Sequence, residues 1–187
     1  MPRQHYSRNV LIGLGGTGQK VLLETKRSLM AANDGEVPEE IVFLAFDTDE
    51  AESLVDQHTG ETIEFGRYEF MRFGREGSVK VAQEADWWPE GCTDWPFRGP
   101  GTGAKRMHGR AKLANQITTV KVKIGRAIGK ARSAGDKALK SGHPANVHVT
   151  IVGSLAGGTG AGCWLDIANL VHSKLEEYNG DRVQGLF

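Results

Sequence analysis

Apolar runs along the chain predict strands that are buried on both faces. Residues 41–46 form a continuous apolar run, residues 9–12 form a short one, residues 147–152 form another that contains His148 and Thr150, and a weaker one covers 62–65. Each run ends on glycine or aspartate, which are typical of turns. Strands that are apolar on both faces are typical of a parallel sheet with both sides covered.

Helices are predicted between these strands. Residues 110–131 and 163–178 carry apolar positions three and four apart, which places them on one stripe of a helix. Residues 18–32 are helix formers without proline, and Asn33, Asp34 and Gly35 end that stretch. We therefore predict an α/β fold with a doubly wound, mostly parallel sheet of four or five strands and helices on both faces.

Two segments depart from this alternation. Residues 67–100 hold three of the four tryptophans and three prolines. We interpret this segment as an inserted aromatic-rich excursion, and favour a local hydrophobic cluster over a contact surface. Residues 183–187 begin a further apolar strand. We therefore expect one domain over residues 1–187 that is a fragment of a longer protein and lacks its C-terminal part.

Composition narrows the class of protein. Charged residues make up 25% and hydrophobic residues 39% of the 187 positions, which excludes disordered, collagen-like and membrane classes. No apolar run reaches the roughly 18 residues of a spanning helix. Residues 1–9 contain no apolar signal region, and two cysteines far apart provide no disulfide framework. We expect a cytoplasmic protein without a membrane span.

Charge is unevenly distributed although the net charge is zero. Residues 1–100 hold 10 basic and 18 acidic side chains, and residues 101–187 hold 13 basic and 5 acidic ones. The segment from Lys105 to Lys140 contains 11 basic residues and a single acidic residue, Asp136. Such a block suits nucleic acid, a phosphate-rich ligand or an acidic protein surface. We favour a solvated helix face, so nucleic acid stays open as a partner but is not favoured.

The first glycine loop lies between the first strand and the first helix. Its glycines are Gly13, Gly15, Gly16 and Gly18. Glycine permits a sharp turn and lets an anion approach the amides at a helix N-terminus. The spacing also fits the dinucleotide fingerprint G-x-G-x-x-G, so an NAD(P)- or FAD-binding Rossmann-type domain is the alternative hypothesis.

A second glycine loop, at residues 153–162, again follows a strand and begins a helix. It is not a Walker loop, because no Lys-Ser/Thr pair follows the glycines. Backbone amides and the helix dipole would hold any phosphate there. Two such loops in one small sheet favour a polyphosphate clasped from two sides. We expect a bulky side chain at Gly158 or Gly160 to block its approach.

Two further elements add candidate chemistry. A third glycine cluster spans residues 99–104 and precedes a predicted helix that begins near Arg110, a residue we consider able to reach a phosphate. Asp47 and Asp49 follow the second strand. These carboxylates suit the waters of a magnesium ion or, as in dinucleotide folds, a ribose hydroxyl.

Together these segments resemble the tubulin/FtsZ superfamily, and most closely its divergent bacterial tubulin-like proteins. Residues 156–162 (AGGTGAG) resemble the tubulin signature, with Ala156 where glycine is usual. Residues 46–51 (FDTDEA) resemble the Asn-Thr-Asp stretch of the FtsZ branch, with Asp47 in place of Asn. Residues 13–18 and 101–111 are similar to the first and third nucleotide loops. Order and spacing agree over residues 9–187, except at 67–98.

The resemblance implies a GTP or GDP site with Mg²⁺ near Asp47 and Asp49, with Gly103 and Ala104 approaching the γ-phosphate and Gln19 near the base. It also implies self-association into filaments or oligomers. The implied nucleotide-binding residues are Gly13, Gly15, Gly16, Thr17, Gly18, Gln19, Asp47, Gly103, Ala104, Gly157, Gly158, Thr159, Gly160, Ala161 and Gly162.

No catalytic residue is assigned. The family's ribose-contact loop, base-stacking helix and catalytic acidic loop would all lie beyond Phe187. We therefore expect GTP hydrolysis in the longer, assembled protein and little activity from this chain alone. The six histidines show no zinc-ligand spacing, and Cys163 is expected to be a small buried side chain.

Overall fold

A five-stranded parallel sheet forms the centre of the molecule, in the order β5-β2-β1-β6-β7. The computed structural model describes residues 8–73, 85–88, 90, 101–134 and 146–177, and the backbone of 182–186. The strands are β1 (Arg8–Leu14), β2 (Ile41–Asp47), β3 (Leu54–Val55), β4 (Thr62–Ile63), β5 (Phe70–Arg72), β6 (Val147–Gly153) and β7 (Arg182–Leu186). The parallel sheet predicted from the apolar runs is confirmed.

Helices cover both faces of the sheet, as predicted. On one face, Leu22 of the first helix packs with Phe43 and Ala45 of β2. On the other face, Ile124 and Ile167 belong to helices that pack with the remaining core. The helices are α1 (Gly15–Ala32), α2 (Arg106–Ala114), α3 (Ile117–Ala134) and α4 (Gly158–Glu176).

Strand β2 shows why its sequence is apolar without interruption. Phe43 and Ala45 face α1, whereas Val42, Leu44 and Phe46 belong to the core shared with α3 and α4. Successive side chains of a strand point to opposite faces, so a strand with helices on both sides must be apolar at every position. All five side chains are buried.

Two predicted segments differ from the structure. Residues 62–65 were expected to form a sheet strand, but Thr62–Ile63 pairs antiparallel with Leu54–Val55 in a separate hairpin. The predicted excursion at 67–100 begins too early, because Phe70–Arg72 pairs with β2 in the main sheet. These strands are two or three residues long, and such lengths leave little periodic signal. Most of 74–100 lies outside the described residues.

The predicted helix at 110–131 is two helices. The helix is interrupted at Asn115 and Gln116. There the Gln116 amide donates to the Leu113 carbonyl, and the Gln116 carbonyl accepts a hydrogen bond from the Val120 amide. Both pieces bury apolar residues of the predicted stripe in the same core, Leu113 from the first and Val120, Ile124, Ile128 and Ala131 from the second, so the stripe is present although the helix is interrupted. In the part of the chain that the structure describes, no helix is long and apolar enough to cross a membrane.

Candidate functional site

A cleft of about 410 Å³ lies at the carboxyl ends of β1, β2 and β6. Leu14 pairs with Phe46 on one side and with Gly153 on the other, so the three strands end at the same level. The loops that follow them therefore meet at one edge of the sheet. The cleft is lined by Leu14, Gly15, Gly16, Thr17, Gln19, Asp47, Thr48, Asp49, Glu50, Ala51, Glu52, Gly101, Thr102, Ser154, Gly157, Gly158, Thr159 and Gly160.

The first and second glycine loops touch each other. A Cβ placed on Gly15 would lie 3.4 Å from the Gly160 nitrogen and 3.4 Å from the Thr159 Cβ. Gly15 also has φ of +71°, a left-handed conformation that favours glycine. The expectation that both loops lie at the same edge of the sheet is confirmed.

Two helices direct N-termini without side-chain caps toward this cleft. Gly15 and Gly158 line the cleft and begin α1 and α4, and neither helix has a capping side-chain hydrogen bond or an acidic residue in its first turn. The first amides of a helix lack intrahelical partners and carry partial positive charge. The cleft between them is therefore suited to an anionic ligand.

The buried side chain of Asp47 connects these loops through hydrogen bonds. One carboxylate oxygen accepts from the Gln19 amide at 2.6 Å. The other accepts from the Thr48 backbone amide at 2.7 Å and from the Thr159 hydroxyl at 3.2 Å. The hydroxyls of Thr48 and Thr159 are 2.9 Å apart. Both oxygens of Asp47 are thus engaged by protein donors, which favours a positioning role over direct contact with a ligand.

Gln19 attaches the loop after β2 to α1. Besides bonding Asp47, its amide nitrogen lies 3.3 Å from the Glu50 carbonyl, and its oxygen accepts from the Glu52 amide at 2.8 Å. The side chain is fully buried. We call residues 47–52 the acidic loop. Gln19 holds the acidic loop against α1. Contact between Gln19 and a nucleotide base would therefore break several of these hydrogen bonds.

A carboxylate of the acidic loop stands over the first glycine loop. A Cβ on Gly16 would lie 2.9 Å from Glu52 Oε1. Glu52 Oε2 is 3.7 Å from the exposed ammonium of Lys20. A side-chain anion therefore already occupies the space next to the N-terminus of α1. This placement supports the inference that an anion is stable there.

Several glycines of the second loop serve packing between helices. A Cβ on Gly158 would collide with the Thr102 hydroxyl and lie 2.7 Å from the Lys105 amide nitrogen. A Cβ on Gly162 would collide with the Arg106 carbonyl, and one on Gly109 with the Gly158 carbonyl. Helices α2 and α4 therefore approach within a distance that only glycine permits. Gly158 was predicted to permit phosphate approach, and the structure adds a packing role for it against Thr102 of the third loop and against Lys105.

The third loop is fixed beside the cleft by a buried lysine. Lys112 donates a 2.8 Å hydrogen bond to the Gly101 carbonyl. Burial lowers the pKa of Lys112, as does the charge of Arg72, while Asp49 raises it. Ala104 has φ of +61°, which is unusual for a residue with a side chain and indicates a constrained turn.

The predicted site residues divide into two groups. The cleft brings together Gly15, Gly16, Thr17, Gln19, Asp47, Asp49, Gly157, Gly158, Thr159 and Gly160. Its lining does not include Gly13, Gly18, Gly103, Ala104, Ala161 or Gly162.

Sequence reasoning missed five lining side chains: Thr48, Glu50, Glu52, Thr102 and Ser154. Thr48 and Ser154 directly follow strand ends, and that position is the signal that could have identified them.

Asp49 is the carboxylate best placed for a metal ion. It is exposed, lines the cleft and accepts the Glu50 amide at 3.0 Å with Oδ1. Mg²⁺ retains several waters and usually takes only one or two protein carboxylates together with phosphate oxygens, so this donor set fits. Within the described ranges, no group of three acidic, histidine or cysteine side chains could hold a metal ion.

Two other candidate side chains, Arg110 and Cys163, have structural roles outside the cleft. Arg110 forms two hydrogen bonds to Asp166 and stacks over the Trp87 ring at 4.6 Å, so it is committed to α4 and not directed to a phosphate. Cys163 is fully buried, as expected, and burial raises the pKa of its thiol far above the usual range. The Cys163 thiol is therefore unreactive, and its side chain fills space in the core.

Comparison with known proteins places the chain in a family. A family model described as tubulin like matches residues 10–187. Among solved structures, the GDP-bound monomer of CetZ1 from Haloferax volcanii is similar over 95% of this chain and 40% of that one, with 17% identity and a TM-score of 0.49.

A dimer of FtsZ from M. jannaschii, described as empty, is similar over 92% of this chain and 34% of that one, with 18% identity and a TM-score of 0.46. The chain thus spans at most 40% of the length of either protein. No curated protein is significantly similar in sequence.

Proposed function

The chain belongs to the tubulin-like family, and on that premise we propose that it binds a guanine nucleotide, GTP or GDP, in the cleft at the carboxyl ends of β1, β2 and β6. The observation that carries this proposal is the pair of N-termini, of α1 and α4, that line one cleft without side-chain caps. Phosphate groups satisfy such amides and interact favourably with the helix dipoles.

The phosphates are held mainly by backbone. Gly15 and Gly16 supply the amides of the first loop, and residues 157–160 supply those of the second. The hydroxyls of Thr17, Thr102 and Ser154 add donors along the lining. A cleft of about 410 Å³ accommodates a triphosphate with part of a nucleoside.

Asp49 would hold a magnesium ion, which would neutralise phosphate charge in the cleft. Asp47 orients the acidic loop through Gln19, Thr48 and Thr159 and does not itself bind the ion. The buried Lys112 stabilises the third loop, whose Gly101 amide bonds the Thr48 carbonyl beside Asp49.

We propose that this chain alone hydrolyses GTP at close to the background rate. In-line attack on a γ-phosphate requires a group that orients the water. Asp47 is engaged by four donors, and Glu50 is paired with Arg72. Asp49 is assigned to the metal. We propose that the protein, in the cytoplasm, self-associates and completes the site between subunits.

The alternative of a dinucleotide-binding domain fits the contacts of Asp47 less well. In that fold an acidic side chain after the second strand bonds the ribose hydroxyls. Here both carboxylate oxygens of Asp47 are bonded to protein donors on α1, α4 and the acidic loop itself. A ribose would have to break those bonds.

Thermal unfolding with GTP, GDP, ATP, NAD⁺ and DNA in parallel, each with Mg²⁺, distinguishes these functions. A ligand that binds only the folded state raises the unfolding temperature, and the shift grows with the logarithm of the ligand concentration above its Kd. The proposal expects a shift with GTP and GDP and none with NAD⁺ or DNA. A shift with NAD⁺ alone would establish the dinucleotide alternative.

A further inference from the structure

A second cleft, of about 460 Å³, lies between α3 and the turn before β5, beside β2. We call it the α3 cleft. Its apolar residues are Val42, Phe43 and Ala127, and its polar rim consists of Tyr68, Glu69, Lys123, Arg126 and Lys130. It is separate from the proposed nucleotide cleft, because the two share no lining residue.

The rim of the α3 cleft is strongly basic. Lys123, Arg126 and Lys130 are three and four positions apart, so they follow one face of α3. The helix carries five basic residues and no acidic one. Like charges at these spacings destabilise a helix. The three rim cations have no hydrogen bond or ion pair with any residue in the described part of the chain.

The single carboxylate of the α3 cleft is already engaged. Glu69 Oε2 accepts from the Lys26 ammonium at 2.7 Å and from the Gly66 amide at 2.7 Å. Lys26 belongs to α1, on the opposite face of the sheet, and also donates to the Glu64 carbonyl. Glu69 therefore compensates Lys26, and the positive charge of the rim is left for a ligand.

The edge of β2 next to this cleft is only partly paired. Strand β5 pairs with Ala45, Phe46 and Asp47, and among the described residues none pairs with Ile41–Leu44 on that side. Tyr68 is 71% exposed at the same place. An extended chain can therefore approach along this edge over an apolar floor.

We propose that the α3 cleft binds an acidic peptide segment of a partner protein. One apolar side chain of the segment lies on the floor formed by Val42 and Ala127, which belong to the same face of the sheet, and its carboxylates pair with Lys123, Arg126 and Lys130. A nucleic acid would need exposed aromatic faces for its bases, and of the two aromatic residues in the lining Phe43 is buried and only Tyr68 is exposed.

Fluorescence anisotropy of the full 187-residue chain tests this proposal. The probe is a labelled short peptide in which glutamates flank one leucine, and the comparison peptides replace the glutamates by glutamine or the leucine by serine. We expect the acidic peptide to bind, both comparison peptides to bind more weakly, and affinity to fall as salt rises.

Two variants with the same change of charge localise the binding. Arg126→Glu lies on the rim, whereas Lys121→Glu lies on the same helix outside the cleft. We expect Arg126→Glu to weaken peptide binding about fivefold or more and Lys121→Glu to have a smaller effect. Both residues are exposed, so their unfolding temperatures should match that of the unmodified chain.

Several results would overturn the proposal. These are equal binding of the acidic and glutamine peptides, equal effects of the two variants, or binding of oligo(dT) with no binding of the peptide. The last result would assign the cleft to nucleic acid. If Arg126→Glu did not fold, Lys130→Gln compared with Lys121→Gln makes the same comparison. A failure here leaves GTP binding unaffected, since that is measured separately.

Discussion

The side-chain amide of Gln19 donates a 2.6 Å hydrogen bond to the buried carboxylate of Asp47. The bond joins the first turn of α1 to the carboxyl end of β2, and the same amide also holds the acidic loop through the Glu52 backbone. Asp47 continues the connection to Thr159 in the second glycine loop. The relative positions of three loops that line the cleft thus depend on one amide–carboxylate pair.

Replacing Gln19 by leucine should destabilise the fold. The variant keeps the volume but leaves a carboxylate oxygen of Asp47 and the Glu52 amide without this partner, at a cost of about 1–3 kcal/mol. Urea unfolding without nucleotide measures the difference. Lys20→Ala, at the exposed neighbouring position, is the control and should change stability by about 0.5 kcal/mol or less. Equal stability of the two variants would show that the Gln19–Asp47 bond is not structural.

Alanine at two adjacent glycines should separate packing from ligand approach. Gly158→Ala places a Cβ against Thr102 and the Lys105 amide, and should cost about 1–3 kcal/mol in the absence of any nucleotide. Gly157 has φ of −84°, and a Cβ there would meet nothing nearer than the Ser154 carbonyl at 3.9 Å. Gly157→Ala should therefore unfold within about 0.5 kcal/mol of the unmodified chain. A greater loss of stability in Gly157→Ala than in Gly158→Ala would contradict the packing role of Gly158.

Removing the charge of Glu52 should strengthen nucleotide binding. Its carboxylate lies beside Gly16, where it repels a phosphate across a few ångströms. Glu52→Gln should raise the affinity for GDP about threefold or more, and high salt should reduce the gain. Titration calorimetry measures the affinity, with exposed Glu61→Gln as the matched control. A weaker affinity in Glu52→Gln would indicate that this carboxylate assists binding.

Stability should fall as the solution is acidified through the titration range of His108. Burial lowers the pKa of His108 from its ordinary 6.5, and the charges of Lys105 and Lys112 lower it further. Below about pH 6.5 the unfolded chain therefore binds a proton at His108 that the folded chain does not yet bind, and the free energy of unfolding falls. Unfolding temperatures measured from about pH 7.5 to 5 should decline less in His108→Gln than in His172→Gln, at an exposed position. Parallel declines would exclude His108 as the cause.

The sheet and the position of the site were predictable because they follow from alternation along the chain. Strands apolar at every position require helices on both faces, and parallel strands place the loops after Leu14, Asp47 and Gly153 at one edge. The residues at that edge were therefore identifiable from the sequence. The match of a tubulin-like family model over residues 10–187 agrees with the resemblance seen in the glycine loops.

Roles that depend on distant contacts were not predictable. The close approach of Gly158 and Gly162 to α2 requires knowledge of how two helices cross, and spacing along the chain does not supply it. Gln19 is polar and lies in a glycine loop, so the sequence favours a ligand contact. Its partner Asp47 is 28 positions away, and only the folded sheet brings them together.

Amide chemical shifts of the isotope-labelled chain, recorded while GDP and Mg²⁺ are added, test the central claim most directly. Phosphates held by backbone N–H groups at helix N-termini should move the amide signals of Gly15, Gly16 and residues 157–160 most strongly. Signals from the α3 cleft should stay in place. Saturable binding of GDP that leaves the amides of both glycine loops unshifted would contradict the proposed site.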